Sequence, residues 1–278
     1  MKDEIEGARR PADTGTMGMR RFGRVNWLGL RTLYAREVRR FLNVATQTVA
    51  APVATASLFM LVFSLAFAAR RGEGAGDIPF EHFLAPGILM MTVIQNAFAN
   101  TSSSMGIAKV QGNIVDTLMP PLSASEILIG YVAGGVTRGL LCALAVGVII
   151  FPAVGLGLAS PVWALVFVIL GSTMMALMGL MTGIYMTKFD QMAAVTNFVI
   201  TPLSFLSGTF YSISVLPEPF HSISLANPFF YAIDGFRHGV LGNADANPWL
   251  GLLVLLLANG ALGYVAWRWI ARGYRLKG

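Results

Sequence analysis

Ile127-Leu-Ile-Gly-Tyr-Val-Ala-Gly-Gly-Val-Thr-Arg-Gly-Leu-Leu-Cys-Ala-Leu-Ala-Val-Gly-Val-Ile-Ile-Phe151 carries one charge, Arg138, in 25 residues. A bilayer hydrocarbon core of about 30 Å is crossed by about 20 apolar residues of helix. This stretch therefore reads as a membrane-spanning helix. Five more segments meet the same requirement, at approximately 48–69, 83–106, 161–186, 192–211 and 249–270. The 278-residue chain as a whole is 55% hydrophobic and 12% charged, whereas soluble domains carry about 25% charged residues. So few charges cannot cover a soluble surface. Disorder is excluded on the same grounds, because disordered chains are charge-rich and apolar-poor. The expected fold is an all-α polytopic membrane protein with six transmembrane helices.

Residues 1–47 hold ten Lys/Arg and five Asp/Glu. A basic arm just before a long apolar segment favours anionic lipid headgroups over nucleic acid. Residues 1–25 show no period and read as a disordered cytoplasmic tail. From Asn26 to Asn43, Trp27, Leu30, Tyr34, Val38 and Phe41 recur at helical spacing, with Arg36, Arg39 and Arg40 roughly opposite. Residues 26–47 are thus expected to form an amphipathic helix lying in the membrane interface, its aromatic side in the lipid. The first long apolar stretch is too late and too long for a cleavable signal peptide. The remainder, 48–278, is the six-span domain. Counting Lys/Arg in the connections gives sixteen on the side of the N-terminus and three on the other, so both termini are expected in the cytoplasm.

Several chemistries lack their residues. None of the four lysines is followed by Ser or Thr, which removes a P-loop nucleotide site. His82, His221 and His238 show no HExxH spacing, and no activated serine motif accompanies them. With a single cysteine, Cys142, disulfides and cysteine zinc sites fall away. The chain is expected to be non-catalytic and to hold no metal.

Two connections are long enough to carry function. The first, 107–126, combines a helical turn at Asn113–Met119, a stiff Pro120-Pro121 break and a helix restart at Ser123 or Ser125 with Glu126. The residues alone leave two readings open: a helix presented to a partner's groove, or a plain interfacial link between spans. The second, 212–248, is largely apolar yet broken by Pro and Gly. That fits short helices dipping into the membrane and returning. Asp234 and Arg237 are three apart there and positioned to pair.

Leu216-Pro217, followed by Asn227-Pro-Phe-Phe-Tyr-Ala-Ile-Asp-Gly-Phe-Arg-His-Gly-Val-Leu-Gly242, resembles the C-terminal signature of the ABC-2 type permeases. Asn113-Ile-Val-Asp-Thr-Leu-Met-Pro-Pro-Leu-Ser-Ala-Ser125 resembles that family's loop between its second and third spans. The likeness covers about residues 26–275. It implies a half-transporter in an inner (plasma) membrane, paired as a homodimer or with a close paralogue. Two separate ATPase subunits would hold the ATP and Mg and drive a drug, lipid or glycan outward. It also tips the 107–126 loop toward a coupling helix. The implied coupling residues are Arg36, Glu37 and Arg39 on the interfacial helix, with Lys109, Gln111, Gly112, Asp116, Leu118, Met119, Pro120 and Pro121 on the loop. An outer gate would use Leu216, Pro217, Asn227, Pro228, Tyr231, Asp234 and Arg237.

Within the spans, Gly130, Gly134, Gly135 and Gly139 permit close helix approach and suit a dimer. Gln95, Asn96 and Asn100 on the second span, and Asn197, Thr201 and Ser204 on the fifth, make polar faces that line a pathway or simply bond between helices. Arg138 is costly in lipid and should face protein or water, with a structural pairing favoured over substrate contact. The alternative function is a gradient-driven secondary transporter or channel. Arg138 is the only ionisable group well inside a span, which counts against ion coupling.

Overall fold

The computed structural model describes residues 25–67 and 79–276. The expected N-terminal tail and the outer loop bearing Arg70 and Arg71 lie outside the described residues, apart from Val25 and the loop's last few residues. The described chain is helical, with no strand. In order it forms α1 (Trp27–Leu42), α2 (Ala51–Phe67), α3 (Phe80–Val110), α4 (Val115–Leu118), α5 (Ala124–Val154), α6 (Pro161–Tyr185), α7 (Phe189–Val195), α8 (Thr201–Phe205), α9 (Phe220–Ala226), α10 (Pro228–Leu241) and α11 (Pro248–Ala271). Five helices are long and apolar enough to cross a membrane: Thr46–Ala66 (α2 with the turn before it), α3, α5, α6 and α11.

α3 and α6 form the buried centre, and α2, α5 and α11 stand around it with most of their surface outward. Glycines on α6 set the closeness of that central pair. A Cβ at Gly179 would lie 2.4 Å from the carbonyl oxygen of Phe98, and one at Gly183 would lie 2.7 Å from Met105 Cβ. Small residues let backbones meet where apolar lipid gives helices no hydrophobic reason to associate. Thr101 then donates from α3 to the Ala176 carbonyl at 2.7 Å.

The stretch expected as a fifth span, 192–211, is helical only from Phe189 to Phe205, and a π turn at Thr196–Ile200 divides it. Pro202 explains the division. Proline lacks an N–H and its ring crowds the carbonyl four residues earlier, and a wide turn relieves that crowding. The same device stands before α2, where a π turn at Thr46–Ala50 precedes Pro52. Each turn closes with a bond from the next residue, Ala51 to Thr46 and Thr201 to Thr196.

The glycine stripe of α5 is filled from within the chain rather than by a second copy. Gly130 and Gly134 receive Leu33 and Glu37 of α1, Gly135 receives Thr101 and Ala176, and Gly139 receives Ser172. Accordingly α1 does not rest its aromatic side on lipid alone: Leu33, Glu37 and Phe41 are buried against the bundle, while Trp27 is 71% exposed.

Candidate functional site

Three polar clusters organise the molecule, beginning where α1 meets the α3–α5 connection. Ser123 caps α5 through a reciprocal capping box with Glu126, as Ser-x-x-Glu before an apolar run requires. The second carboxylate oxygen of Glu126 accepts from the backbone N–H of Asn26, and Asn26 Nδ2 donates to the Pro121 carbonyl at 3.2 Å. The start of α1 is thereby fastened to the Pro120-Pro121 break. A second fastening uses Arg36, whose guanidinium donates to Thr117 Oγ1 of α4 (2.9 Å), Tyr131 OH of α5 (3.0 Å) and Glu37 (3.2 Å). Glu37 is fully buried between Arg36 and Arg40. With Ile114 and Thr117 turned inward, α4 presents Val115, Asp116, Leu118 and Met119 outward, Met119 at 76% exposure.

A second cluster sits around α10, which is buried along nearly its whole length. Asn227 caps it by accepting from the Phe229 N–H and also donates to the Leu203 carbonyl. Asp234 and Arg237 approach to 3.5 Å, as their spacing predicts, and each is also held by main chain. The Asp234 carboxylate accepts from the N–H groups of Asp245 and Ala246, both at 2.9 Å. Arg237 donates to the Gly208 carbonyl at 2.7 Å, and its guanidinium lies 3.7 Å from the Phe83 ring centroid.

The third is a polar chamber of about 510 Å³ walled by Arg40, Gln47, Thr48, Gln95, Asn96, Ser103, Arg138, Thr196 and Thr201, with apolar neighbours. Arg138 donates from Nη2 to Asn96 Oδ1 at 2.8 Å, while its Nε is buried without an acceptor. Arg40 is fixed by the Asn100 carbonyl and side chain and by Ser103. Gln47, Gln95 and Asn96 also line a second cleft of about 290 Å³, which runs on to Ile88, Met91, Phe59 and Phe210.

These arrangements accompany a sequence kinship. Residues 29–241 match the ABC-2 type transporter family. The chain belongs to that family. It is 36% identical over 251 residues to the inner membrane transport permease YadH of Escherichia coli K12, covering 90% of this chain and 98% of that one. Nodulation protein J of Rhizobium leguminosarum bv. viciae is 23% identical over 239 residues, covering 84% and 90% respectively. Nodulation protein J of Sinorhizobium fredii is 26% identical over 226 residues, covering 78% and 81%. The chain is accordingly a multi-pass inner-membrane transport permease, the non-catalytic membrane component of a transporter, in a family whose permeases associate with an ABC ATPase subunit.

Several residues singled out in the permease sequence stand together. Arg36 and Glu37 join Thr117 at the α1–α4 contact. Arg39, Gln111, Gly112, Asp116, Leu118, Met119, Pro120 and Pro121 are exposed around it. Lys109 turns inward instead, donating to the Ile184 and Met186 carbonyls at the end of α6. Of the outer set, Asn227, Tyr231, Asp234 and Arg237 are buried and Pro228 and Leu216 half-buried, while Pro217 is exposed.

The polar faces divide. Gln95, Asn96 and Thr201 line the chamber, Asn100 lies behind it holding Arg40, and Ser204 is buried, bonded to the Ile200 carbonyl. Asn197 is exposed, because the π turn inserts an extra residue and rotates it away from Thr201. Sequence spacing missed Asn26, Thr117, Tyr131 and Arg40 as members of these clusters. Only the helix restart at Ser123 or Ser125 with Glu126 was visible, and nothing local signals that residues 100 apart in the chain meet.

Proposed function

We propose that this permease is the transmembrane subunit of an ATP-driven exporter. It works as a dimer with two separate ATPase subunits and moves an amphiphilic substrate (drug, lipid or glycan) out of the cytoplasm. The observation that carries the proposal is the double fastening of the α3–α5 connection to α1 and α5: Asn26 bonds to Pro121 and Glu126, and Arg36 bonds to Thr117 of α4 and Tyr131 of α5. A short helix exposing Val115, Leu118 and Met119 beside Asp116 is suited to a partner's groove,. A push on it reaches α1 and α5 through bonds rather than through loose chain.

On this reading six segments span the membrane, with the bent α7–α8 run as the shortest, and both termini are cytoplasmic. The α1–α4 joint faces the ATPases. ATP and Mg belong to those subunits and not to this chain. The α9–α10 segment is a re-entrant hairpin near the outer face, where Asn227, Tyr231, Asp234 and Arg237 hold the exit closed or shape it.

Purification of the tagged chain from its native membrane in mild detergent, with mass spectrometry and an ATPase assay on the same sample, tests the proposal. A stoichiometric partner bearing a Walker motif and hydrolysing ATP is the expected result. A chain that repeatedly purifies without an ATPase would overturn it in favour of a gradient-driven transporter or channel.

A further inference from the structure

Arg138 lies near the middle of α5, and among the described residues no carboxylate comes within ion-pair distance of it. Its neighbours are Asn96, which takes one of its five N–H bonds, and the Cys142 thiol. Neither neutralises a cation. Arg40, across the chamber, shares the single Glu37 carboxylate with Arg36, so the region holds three guanidiniums to one carboxylate. Charge at membrane depth is retained where it meets a counter-charge, water or a ligand. The described spans of a second copy offer no counter-charge away from their helix ends. The only acidic residues on the described spans are Glu81 and Glu126, each at a helix end, and Asp190 begins α7. The deficit is therefore left for water in the chamber or for a bound anion, and the anion is the one of the two that carries a counter-charge.

The shape of the space says what kind of anion. From the chamber, Gln47, Gln95 and Asn96 lead into the cleft of about 290 Å³ lined at its far end by Phe59, Ile88, Met91 and Phe210. A polar, doubly cationic compartment joined to a narrower one with aromatic and aliphatic walls matches a molecule with an anionic head and an apolar tail. Guanidinium forks pair best with phosphate or carboxylate oxygens, and Gln95, Ser103, Thr196 and Thr201 supply neutral hydrogen-bonding groups beside them.

We propose that this double compartment binds a phosphate-bearing amphiphile of net negative charge, with no cationic group on its head, the head lying between Arg40 and Arg138 and the tail toward Phe59 and Phe210. A cationic amphiphile is repelled by both arginines, and a neutral glycan leaves Arg138 uncompensated. The proposal deepens the transport reading by naming the class of cargo, and rests on that reading only for the claim that the bound molecule is moved.

Native mass spectrometry of the full-length chain in mild detergent tests it, with dioleoyl phosphatidic acid and dioleoyl phosphatidylcholine titrated separately. The acid is expected to be retained at least tenfold more strongly. The Arg138→Gln variant should abolish the preference, Arg138→Lys should keep part of it, and Arg272→Gln, an exposed end-of-helix change, should leave it intact. Millimolar inorganic phosphate should not displace the lipid. Equal retention of the two lipids, an unchanged preference in Arg138→Gln, or full displacement by free phosphate would overturn the proposal.

A variant-independent arm uses phosphatidic acid with a photoreactive acyl chain on the wild-type chain. Crosslinks are expected on the peptides containing Phe59 and Phe210, and crosslinks confined to outward-facing Leu144 or Phe198 would overturn it. An ATPase partner without headgroup preference removes only the lipid proposal. Headgroup preference without an ATPase removes only the exporter reading.

Discussion

Buried charge is handled differently at the two ends of this permease. At α10, Asp234 and Arg237 are held by main chain: two N–H groups for the carboxylate, and the Gly208 carbonyl for the guanidinium. At α1, Glu37 is held by side chains, Arg36 and Arg40, which in turn hold Thr117, Tyr131 and Asn100. Main-chain partners cannot change rotamer, so the α10 network has one arrangement. Side-chain partners can exchange contacts while every helix stays intact. The first suits a fixed wall and the second a joint.

The largest expected effect follows at the fixed end. Asp234→Ala leaves Arg237 buried and unpaired and should cost about 3–5 kcal/mol, read as loss of monodisperse protein in detergent. From spacing alone, an exchange of the two charges (Asp234→Arg with Arg237→Asp) would restore the pair. The structure predicts no rescue. An arginine at 234 would meet two N–H donors, and an aspartate at 237 would meet the Gly208 carbonyl and the face of Phe83. Recovery of yield in the exchanged variant would show that the pair, not its main-chain partners, sets the stability.

Glycines at the two ends give a finer contrast. A Cβ at Gly239 of α10 would lie 2.4 Å from the backbone nitrogen of Ala164 and 2.6 Å from its Cα, with no side chain to yield. At Gly134 of α5 it would meet the Cβ of Glu37 at 2.6 Å, and α1 can shift outward. Overpacking typically costs about 1–3 kcal/mol. Gly239→Ala should reach or exceed the upper end and Gly134→Ala the lower, as unfolding midpoints in the same detergent would record. Equal losses would mean that α1 is as rigid as α10.

How much of this was legible follows from what each signal carries. Span positions came from apolar length alone, and the start of α5 from Ser123 or Ser125 with Glu126, because both signals are local; the structure selects Ser123 as the cap. The membrane hides the rest. A span is apolar all round, since lipid and protein interior are alike to a leucine, so no periodicity told which face of α5 would take up α1. The glycine stripe gave close approach without naming the approaching helix. The length of the fifth segment was misjudged because apolar composition continues past Phe205, where the helix has already ended. Arg138 was legible as a charge needing company, and Asn96, 42 residues earlier on the neighbouring span, was not legible as the residue that meets it.

At the joint, Glu37→Gln keeps the shape and removes the charge, leaving Arg36 and Arg40 facing a neutral amide. A loss of about 1–3 kcal/mol should fall on α1 docking rather than on the bundle. Limited trypsin digestion at Arg31 and Arg39 should therefore accelerate, while the unfolding midpoint falls less than in Gly239→Ala. A midpoint drop without faster cleavage would make Glu37 part of the bundle core and dissolve the contrast.

The smallest effect on stability is expected at Asp116, exposed on α4 with its side chain bonded to nothing among the described residues. Asp116→Lys should move the unfolding midpoint by no more than the equivalent of about 0.5 kcal/mol. Combined with Pro120→Gly and Pro121→Gly, it should nonetheless separate ATP hydrolysis from transport in reconstituted vesicles. The prolines set the direction in which α4 is held, and Asp116 is the one acidic side chain on its outward face. The fastening through Asn26, Glu126 and Arg36 stays in place in this variant, so the folded chain should persist while the push no longer arrives. Retained transport at the wild-type ratio of substrate to ATP would place the contact elsewhere, with α1 and exposed Arg39 as the remaining surface.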